Sequence, residues 1–252
     1  MQVDLTNKNV LVTGASRGIG KAIATHMSEA GAGVALHYNT QTEQAHQLAS
    51  QLDNKALVFQ ADLADPNQAV ELFDQVVATM GHLNVIVNNA GIAISSSLEK
   101  EDQAWMQDWN DTMQVNLNTT ALLCKKAVTH FEQQGGGRII NISSRAAFRG
   151  DTSDYLAYAA SKGGMVTLTR SLARAFGKQG IKAFNIAPGF VRTDMAQEFM
   201  DQYGEEIAIQ DIALQKLTEP KDVAPMVVFL ASGLADHATG CTIDINAGSY
   251  VH

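Results

Sequence analysis

Short apolar runs that predict buried strands alternate with helical stretches along the whole chain. The runs lie at residues 10–12, 34–36, 56–59, 85–87, 138–142, 183–186 and 242–245, and they are rich in Val, Ile and Leu. Strands that alternate with helices are joined by right-handed βαβ crossovers, which give a parallel sheet with helices on both faces. We therefore predict a doubly wound α/β fold with seven strands and a mostly parallel sheet.

Helix positions follow from the segments between these runs. Asp65 precedes Pro66, and an Asp cap followed by Pro at the first helical position predicts a helix start. Further helices are predicted over residues 41–53, in a longer stretch that follows residue 91 and ends at about 133, and from about 155 to 177.

Length and charge limit the classes of protein to which the chain can belong. The 252 residues, 46% of them hydrophobic, suffice for one α/β domain, and we expect no second domain. A net charge of −8 argues against nucleic acid or an anionic membrane as a partner. No signal segment precedes the first strand, so we expect a cytoplasmic protein. Cys124 and Cys241 are predicted to be core thiols, and the seven scattered His residues imply no metal site.

A glycine-rich turn follows the first strand. It runs from Thr13 to Gly20, contains Gly14 and Gly18, and leads into a predicted helix. Such glycines let the backbone approach a pyrophosphate, and the helix N-terminus offers N–H groups to it. The spacing Gly-x-x-x-Gly-x-Gly differs from the commonest dinucleotide fingerprint, so a purely structural loop stays open. A P-loop is excluded because Ala22 follows Gly20-Lys21.

Tyr158 and Lys162 are four residues apart in a predicted helix. They therefore share one helix face about one turn apart. A neighbouring ammonium favours the phenolate, so we predict that Lys162 lowers the pKa of Tyr158 and makes it a proton donor. A solvated helix face is the alternative when the pair is considered alone.

Several motifs occur in an order that resembles a known family. They are Thr13 to Gly20, Asp62-Leu63, Asn88-Asn89-Ala90-Gly91, Asn116, Ser143-Ser144 with Tyr158 and Lys162, and Pro188-Gly189. Along nearly its whole length the chain resembles the short-chain dehydrogenase/reductase family, and most of all its 3-oxoacyl-acyl-carrier-protein reductase branch. The resemblance implies a single Rossmann-type NAD(P)-binding domain over residues 1–252.

The resemblance also implies catalytic roles. Tyr158 would deliver a proton to the carbonyl oxygen, Lys162 would hold the nicotinamide ribose, and Ser144 would hydrogen-bond the substrate oxygen. Asn116 would help to hold a water that relays protons to Lys162. Ser143 is the alternative to Ser144, and Tyr155 is a possible decoy that lacks a base four residues on. The 13 residues between Ser144 and Tyr158 are one more than the family usually has, so we expect a bulged loop.

The cofactor implied by the resemblance is a nicotinamide dinucleotide. NADP(H) is favoured over NAD(H), because no acidic residue occurs at 37–40, where NAD enzymes place a carboxylate. Arg17, Asn39 and Thr40 could bind the 2′-phosphate, Asp62 would hold the adenine edge, and Asn89 would line the adenosine ribose. The remaining predicted cofactor residues are Gly14, Ser16, Gly18, Ile19, Gly20, Leu63, Ala90, Gly91, Tyr158, Lys162, Pro188, Gly189, Val191 and Thr193.

The substrate is less constrained by the sequence. Residues 190–216 are expected to form a substrate lid, with an apolar stripe of Met195, Phe199, Met200 and Tyr203; the alternative is a packed helix pair. A 3-oxoacyl group bound to acyl-carrier protein is the leading substrate. However, the basic rim that would dock such a carrier is thin. Either Arg145 and Arg149 replace it, or the substrate is a free ketone or another 3-oxoacyl thioester.

The remaining expectations concern the oligomeric state and one alternative class of protein. The resemblance implies a homo-oligomer, usually a tetramer, and small residues at 159, 160, 163 and 164 would permit close helix packing. Trp105 and Trp109 belong either to that interface or to the core. A non-catalytic cofactor-binding scaffold is the alternative of another class, although such proteins typically lose the Tyr or the Lys.

Overall fold

The predicted strands all form and join one sheet. The computed structural model describes residues 3–52, 56–194, 196–197, 200, 204, 206 and 209–251. The strands are β1 (Asn9–Val12), β2 (Gly33–Tyr38), β3 (Leu57–Gln60), β4 (Val85–Asn88), β5 (Gly137–Ile142), β6 (Ile181–Pro188) and β7 (Thr242–Ile245). Their order is β3-β2-β1-β4-β5-β6-β7. Every neighbouring pair is parallel, so the predicted mostly parallel sheet is wholly parallel across these strands.

Helices connect the strands and cover both faces of the sheet. They are α1 (Gly18–Glu29), α2 (Thr42–Gln51), α3 (Pro66–Met80), α4 (Asp102–Met113), α5 (Thr119–Gln133), α6 (Ala146–Arg149), α7 (Leu156–Phe176) and α8 (Pro220–Ser232). A π-helical turn, Gln114–Asn118, joins α4 to α5, and short 3₁₀ segments lie at Ser153–Tyr155, Gly177–Gln179 and Asp236–Ala238. The predicted cap of α3 is confirmed, because the Asp65 carboxylate accepts the Asn67 N–H at 2.8 Å.

The strand order reverses between β1 and β4. The chain adds β2 and β3 on one side of β1, and then returns to place β4 on the other side. Crossover connections diverge at such a point and leave a crevice beyond the carboxyl ends of the two strands. The glycine-rich turn after β1 and the Asn88–Gly91 segment at the end of β4 both lie there.

Alternate strand residues supply two apolar cores, one on each face. Val10 and Val12 pack with α1 and α8, whereas Leu11 packs with α3, α5 and α7. Because both faces are covered, the strands are continuously apolar and not alternating. The two cysteines are free thiols, with Cys124 buried and Cys241 half-buried. Within the described ranges, no helix combines the length and the apolar character that a membrane span requires.

Gly137 at the start of β5 provides a test of core packing. A Cβ added there would lie 2.3 Å from Cγ of the buried Phe131 ring. We predict that Gly137→Ala lowers the free energy of unfolding by about 1–3 kcal/mol through overpacking. The midpoint of urea-induced unfolding measures this change.

Gly177 is the matched control for that substitution. It has a helical φ of −59°, and a Cβ there would meet nothing within 4 Å. Gly177→Ala should therefore leave the unfolding free energy unchanged or raise it slightly. Equal destabilisation by the two substitutions would contradict the packing argument.

Candidate active site

The glycine-rich turn forms a cradle that only glycine can line. Gly14 and Gly18 have φ values of 63° and 53°, which are in the left-handed region. A Cβ on Gly20 would lie 2.1 Å from the Gly14 carbonyl oxygen, so only glycine lets the start of α1 pack this closely against the turn. This arrangement fits a pyrophosphate, which needs close backbone approach and free N–H groups.

His37, at the end of β2, supports the turn from below. Burial lowers the pKa of His37 to about 4, so its ring is neutral near neutral pH. Its Nδ1 lies 3.0 Å from the Gly14 amide and accepts that hydrogen. The other ring nitrogen, Nε2, then carries the proton and donates to the Ala61 carbonyl at 3.1 Å. The sequence indicated only that residue 37 is not acidic; this supporting role of His37 was not predicted.

The end of β4 closes the other side of the turn. Asn89 Nδ2 donates to the carbonyl oxygens of Thr13 and Gly14 at 2.9 and 3.2 Å. The Thr13 hydroxyl oxygen accepts the amides of Asn89 and Ala90 at 2.9 and 3.0 Å. Asn89 therefore holds the turn in shape, in addition to its predicted position beside the adenosine ribose.

The predicted 2′-phosphate residues lie at one end of the cleft. Asn39 and Thr40 are exposed, and Asn39 Nδ2 approaches Asp62 Oδ1 at 3.4 Å. Arg17 forms an ion pair with Asp194, with 2.9 Å between Nη1 and Oδ2. Both of these side chains are largely exposed, and the pair spans the mouth of the cleft from the turn to the segment after β6.

One continuous cleft connects this end to the candidate catalytic residues. Its volume is about 980 Å³, and all the predicted cofactor residues line it. Of the four predicted catalytic residues, Ser144, Tyr158 and Lys162 line the cleft, whereas Asn116 lies behind it. A cleft of this size accommodates a dinucleotide together with a small substrate.

Tyr158 and Lys162 lie on one face of α7, as predicted. Lys162 Nζ lies 5.6 Å from the centre of the Tyr158 ring and donates to the Ile142 carbonyl at 3.0 Å. The Ser144 hydroxyl is hydrogen-bonded to the Tyr158 phenol. Two hydroxyl groups and one amine therefore lie together where β5 ends.

The predicted direction of the Tyr158 pKa shift is wrong. Burial raises the pKa of Tyr158, the charge of Asp151 raises it further, and the Ser144 hydrogen bond lowers it. Burial also lowers the pKa of Lys162 to about 8. The prediction considered only the attraction between ammonium and phenolate, but removal from water disfavours both charges. Near neutral pH the phenol is thus protonated and the amine is still mostly charged.

The two adjacent serines have different surroundings. Ser143 donates to the Ile186 carbonyl at 3.0 Å and accepts from Asn185 Nδ2 at 2.7 Å. These bonds connect β5 to β6. Ser144 accepts the Ala146 amide at 3.1 Å and is the serine that reaches Tyr158. This geometry favours Ser144 over Ser143 as the substrate-binding hydroxyl.

Asn116 lies in the π-helical turn and is completely buried. Its Oδ1 accepts the Ile92 amide at 2.8 Å, and its Nδ2 donates to the Ile92 carbonyl and the Ser161 hydroxyl at 2.9 and 3.1 Å. A Cβ on Gly91 would be 3.1 Å from Asn116 Oδ1 and 3.3 Å from Lys162 Nζ. The next residue, Leu117, packs against Gly164 of α7, where a Cβ would be 2.6 Å from Leu117 Cδ2. Gly164 is therefore explained by packing within the chain.

The long connection from Ser144 to Tyr158 is accommodated by a loop. It contains the short helix α6, then Gly150 with a φ of 78°, and then a 3₁₀ turn that ends at Tyr155. Tyr155 also lines the cleft.

Four charged side chains line the cleft on this side, and we call them the charged wall. They are Arg145, Arg149, Asp151 and Asp211. The sequence analysis did not identify either of the two acids. Arg149 Nη1 pairs with Asp211 Oδ2 at 3.5 Å.

The expected lid is only partly described. Met195, Phe199 and Tyr203 lie outside the described residues. Met200 is buried with Ala196, Ile212 and Leu217 in a small apolar cluster. Trp105 and Trp109 stack on α4 with ring centres 5.3 Å apart, and both are half-buried.

Known proteins resemble this chain in sequence and in fold. The profile of a family described as enoyl-(acyl carrier protein) reductase matches residues 14–250. The 3-oxoacyl-acyl-carrier-protein reductase FabG of Staphylococcus aureus is 36% identical over 247 residues, which cover 97% of this chain and 98% of that protein. A dehydrogenase/reductase structure from Sinorhizobium meliloti 1021 superposes with a TM-score of 0.92 at 33% identity, covering 99% and 98% of the two chains.

A further solved structure contains the expected type of cofactor. It is a blue fluorescent protein from a metagenomic library in complex with NADPH, with a TM-score of 0.90, 33% identity, and coverage of 98% of this chain and 100% of that chain. The fold, the cleft and these similarities together show that this chain is an oxidoreductase of the short-chain dehydrogenase/reductase family.

Proposed function

We propose that the protein is an NADP(H)-dependent carbonyl reductase that converts a 3-oxoacyl substrate to the 3-hydroxyacyl product. The observation that carries this proposal is the meeting of Ser144, Tyr158 and Lys162 in the cleft that begins at the glycine cradle. The similarity to a 3-oxoacyl-acyl-carrier-protein reductase supports the substrate class.

The residues divide the work of reducing a ketone. A nicotinamide cofactor, when bound, supplies the hydride to the carbonyl carbon. Tyr158 donates its proton to the carbonyl oxygen, and burial keeps that proton in place near neutral pH. Ser144 donates a hydrogen bond to the same oxygen as negative charge develops on it. The Lys162 ammonium then stabilises the phenolate that remains.

The preference for NADP(H) is part of the proposal. It is supported by Arg17 at the cleft mouth, by the exposed amide and hydroxyl of Asn39 and Thr40, and by the missing acid at the end of β2. A 2′-phosphate would replace the Asp194 carboxylate as the partner of Arg17, and phosphate accepts strong charge-assisted hydrogen bonds from guanidinium.

A different small ketone or a sugar is the second candidate substrate. The charged wall favours it, because a long alkyl chain gains nothing from charged neighbours. The charged wall also argues against the hypothesis that Arg145 and Arg149 dock a carrier protein, since Arg145 is half-buried in the cleft and Arg149 is paired with Asp211.

Retention of both Tyr158 and Lys162 argues against a non-catalytic scaffold. A homotetramer is expected from family resemblance alone.

Tyr158→Phe tests the proton donor. We expect this variant to lose about 100-fold or more in kcat for NADPH-driven reduction of a 3-oxobutanoyl thioester, because the positioned proton donor is removed. NADPH binding, followed by fluorescence, should be retained. Turnover close to that of the wild type would refute the assignment, and reduction of an enoyl thioester at an equal rate would refute the carbonyl chemistry.

The serine pair provides a matched comparison. Ser144→Ala should lower kcat/KM by about 10-fold to 100-fold, because a donor to the developing oxyanion is lost. Ser143→Ala should lower thermal stability and retain most of the activity, because its bonds connect two strands. If Ser143→Ala were the less active variant, the assignment of the two serines would be reversed.

Separate measurements of kcat/KM for NADPH and NADH test the cofactor preference. We expect wild-type protein to prefer NADPH at least 10-fold and Arg17→Ala to lose most of that preference. Asp194→Ala is the control, since it breaks the ion pair and keeps the cation; its preference for NADPH should be equal to or above that of the wild type. A clear preference of the wild type for NADH would overturn the proposal.

A further inference from the structure

Arg145 occupies an unusual position for a charged side chain. It directly follows Ser144, and its backbone is fixed because its amide donates to the Pro188 carbonyl at 2.9 Å and its carbonyl accepts the amides of Phe148 and Arg149. The side chain is half-buried and lines the cleft on the side of Tyr158. The guanidinium is therefore held near the reacting centre by the same strand end that positions the catalytic serine.

One nitrogen of the Arg145 guanidinium is buried without an acceptor. Its Nη1 is hidden from solvent and makes no hydrogen bond to the described residues. Within the described part of the chain, no carboxylate lies within ion-pair distance of it, and Asp211 is instead paired with Arg149. Burial and the neighbouring Arg149 lower the pKa of Arg145, while the charges of Asp151 and Asp211 raise it. A desolvated donor of this kind costs folding free energy unless a ligand satisfies it.

The nearby acids act on this charge without bonding to it. Asp151 and Asp211 favour the charged form of Arg145, but within the described residues neither forms an ion pair with it. The Asp151 carboxylate instead accepts the Thr152 amide at 2.9 Å. An alkyl chain placed beside the guanidinium would leave Nη1 unsatisfied, whereas a carboxylate would satisfy both its charge and its geometry.

We propose that Arg145 is a substrate-binding residue that holds a carboxylate close to the reacting ketone, so that the preferred substrate is an oxo acid and not an uncharged ketone. This inference rests on the proposed reductase function and narrows its substrate class. Within the 3-oxoacyl class, it selects the free 3-oxo acid or an acyl group with a carboxylate farther along its chain.

The first test compares acids with their methyl esters, which keep both carboxyl oxygens and lose the negative charge. The pairs are 3-oxobutanoate and 4-oxopentanoate, each with its ester, and they differ in the distance from ketone to carboxylate. The ester also adds a methyl group, so the acid-to-ester ratio is compared between wild type and variant. For at least one pair we expect wild-type kcat/KM to be at least 10-fold higher for the acid, and Arg145→Gln to bring this ratio close to one. An equal ratio in wild type and Arg145→Gln would overturn the inference.

Arg149→Gln is the matched control. It removes a positive charge from the same wall, but from a side chain that is exposed and paired with Asp211. Its acid-to-ester ratio should stay within about threefold of the wild-type ratio, because exposed pairs contribute little. An equal loss of the ratio in both variants would mean that the general field of the wall, and not contact with Arg145, selects the acid. A raised KM for NADPH in Arg145→Gln with an unchanged ratio would instead assign Arg145 to the cofactor.

A binding measurement separates this inference from the proposed function. Calorimetry of the NADPH-loaded protein should show butanoate binding at least 10-fold more tightly than butanamide, with the difference lost in Arg145→Gln. If no ketone is reduced but this difference is found, the reductase proposal fails and the carboxylate site stands. If ketones are reduced without any preference for acids, the reductase proposal stands and the carboxylate site fails. Arg145→Gln should keep thermal stability close to that of the wild type, since the described residues give the guanidinium no ion pair to lose and Nη1 has no hydrogen bond there.

Discussion

Parallel pairing of all the described strands determines where chemistry can occur in this protein. Because each strand points the same way, all the connections that leave the strands begin at one edge of the sheet. The glycine cradle follows β1, Asn89 follows β4, Ser144 follows β5, and Gly189 follows β6. Segments that are more than 100 residues apart in sequence therefore meet in one cleft as a direct result of the sheet topology.

Burial then determines how the groups in the cleft behave. The same removal from water that keeps the Tyr158 phenol protonated also weakens the hold of Lys162 on its proton. Charge placement modifies this balance, since Asp151 lies in the lengthened loop and opposes the formation of a phenolate. The loop between Ser144 and Tyr158 is thus not a passive spacer, because it brings a carboxylate to the cleft.

Local signals in the sequence were sufficient for the fold and for the positions of the main site residues. Continuous apolar runs predicted strands that are covered on both faces, and Asp65-Pro66 predicted the start of α3, because these features depend on neighbouring residues. Features that depend on distant residues were missed. The His37 bond to Gly14, the Arg17 pair with Asp194, and the burial that reverses the pKa direction of Tyr158 all require the folded chain. An arginine directly after a strand-end serine was the one available signal for the role proposed for Arg145.

The π-helical turn has a consequence for how the back of the cleft responds to disturbance. A π turn holds one more residue than an α-helical turn. Here the π-helical turn contacts α7 at two points: Asn116 Nδ2 donates to the Ser161 hydroxyl, and Leu117 packs against Gly164. Ser161 immediately precedes Lys162. A shift of α7 along its axis would therefore disturb the contacts of the π-helical turn and, through Asn116, the backbone bonds to Ile92 on the wall of the cleft.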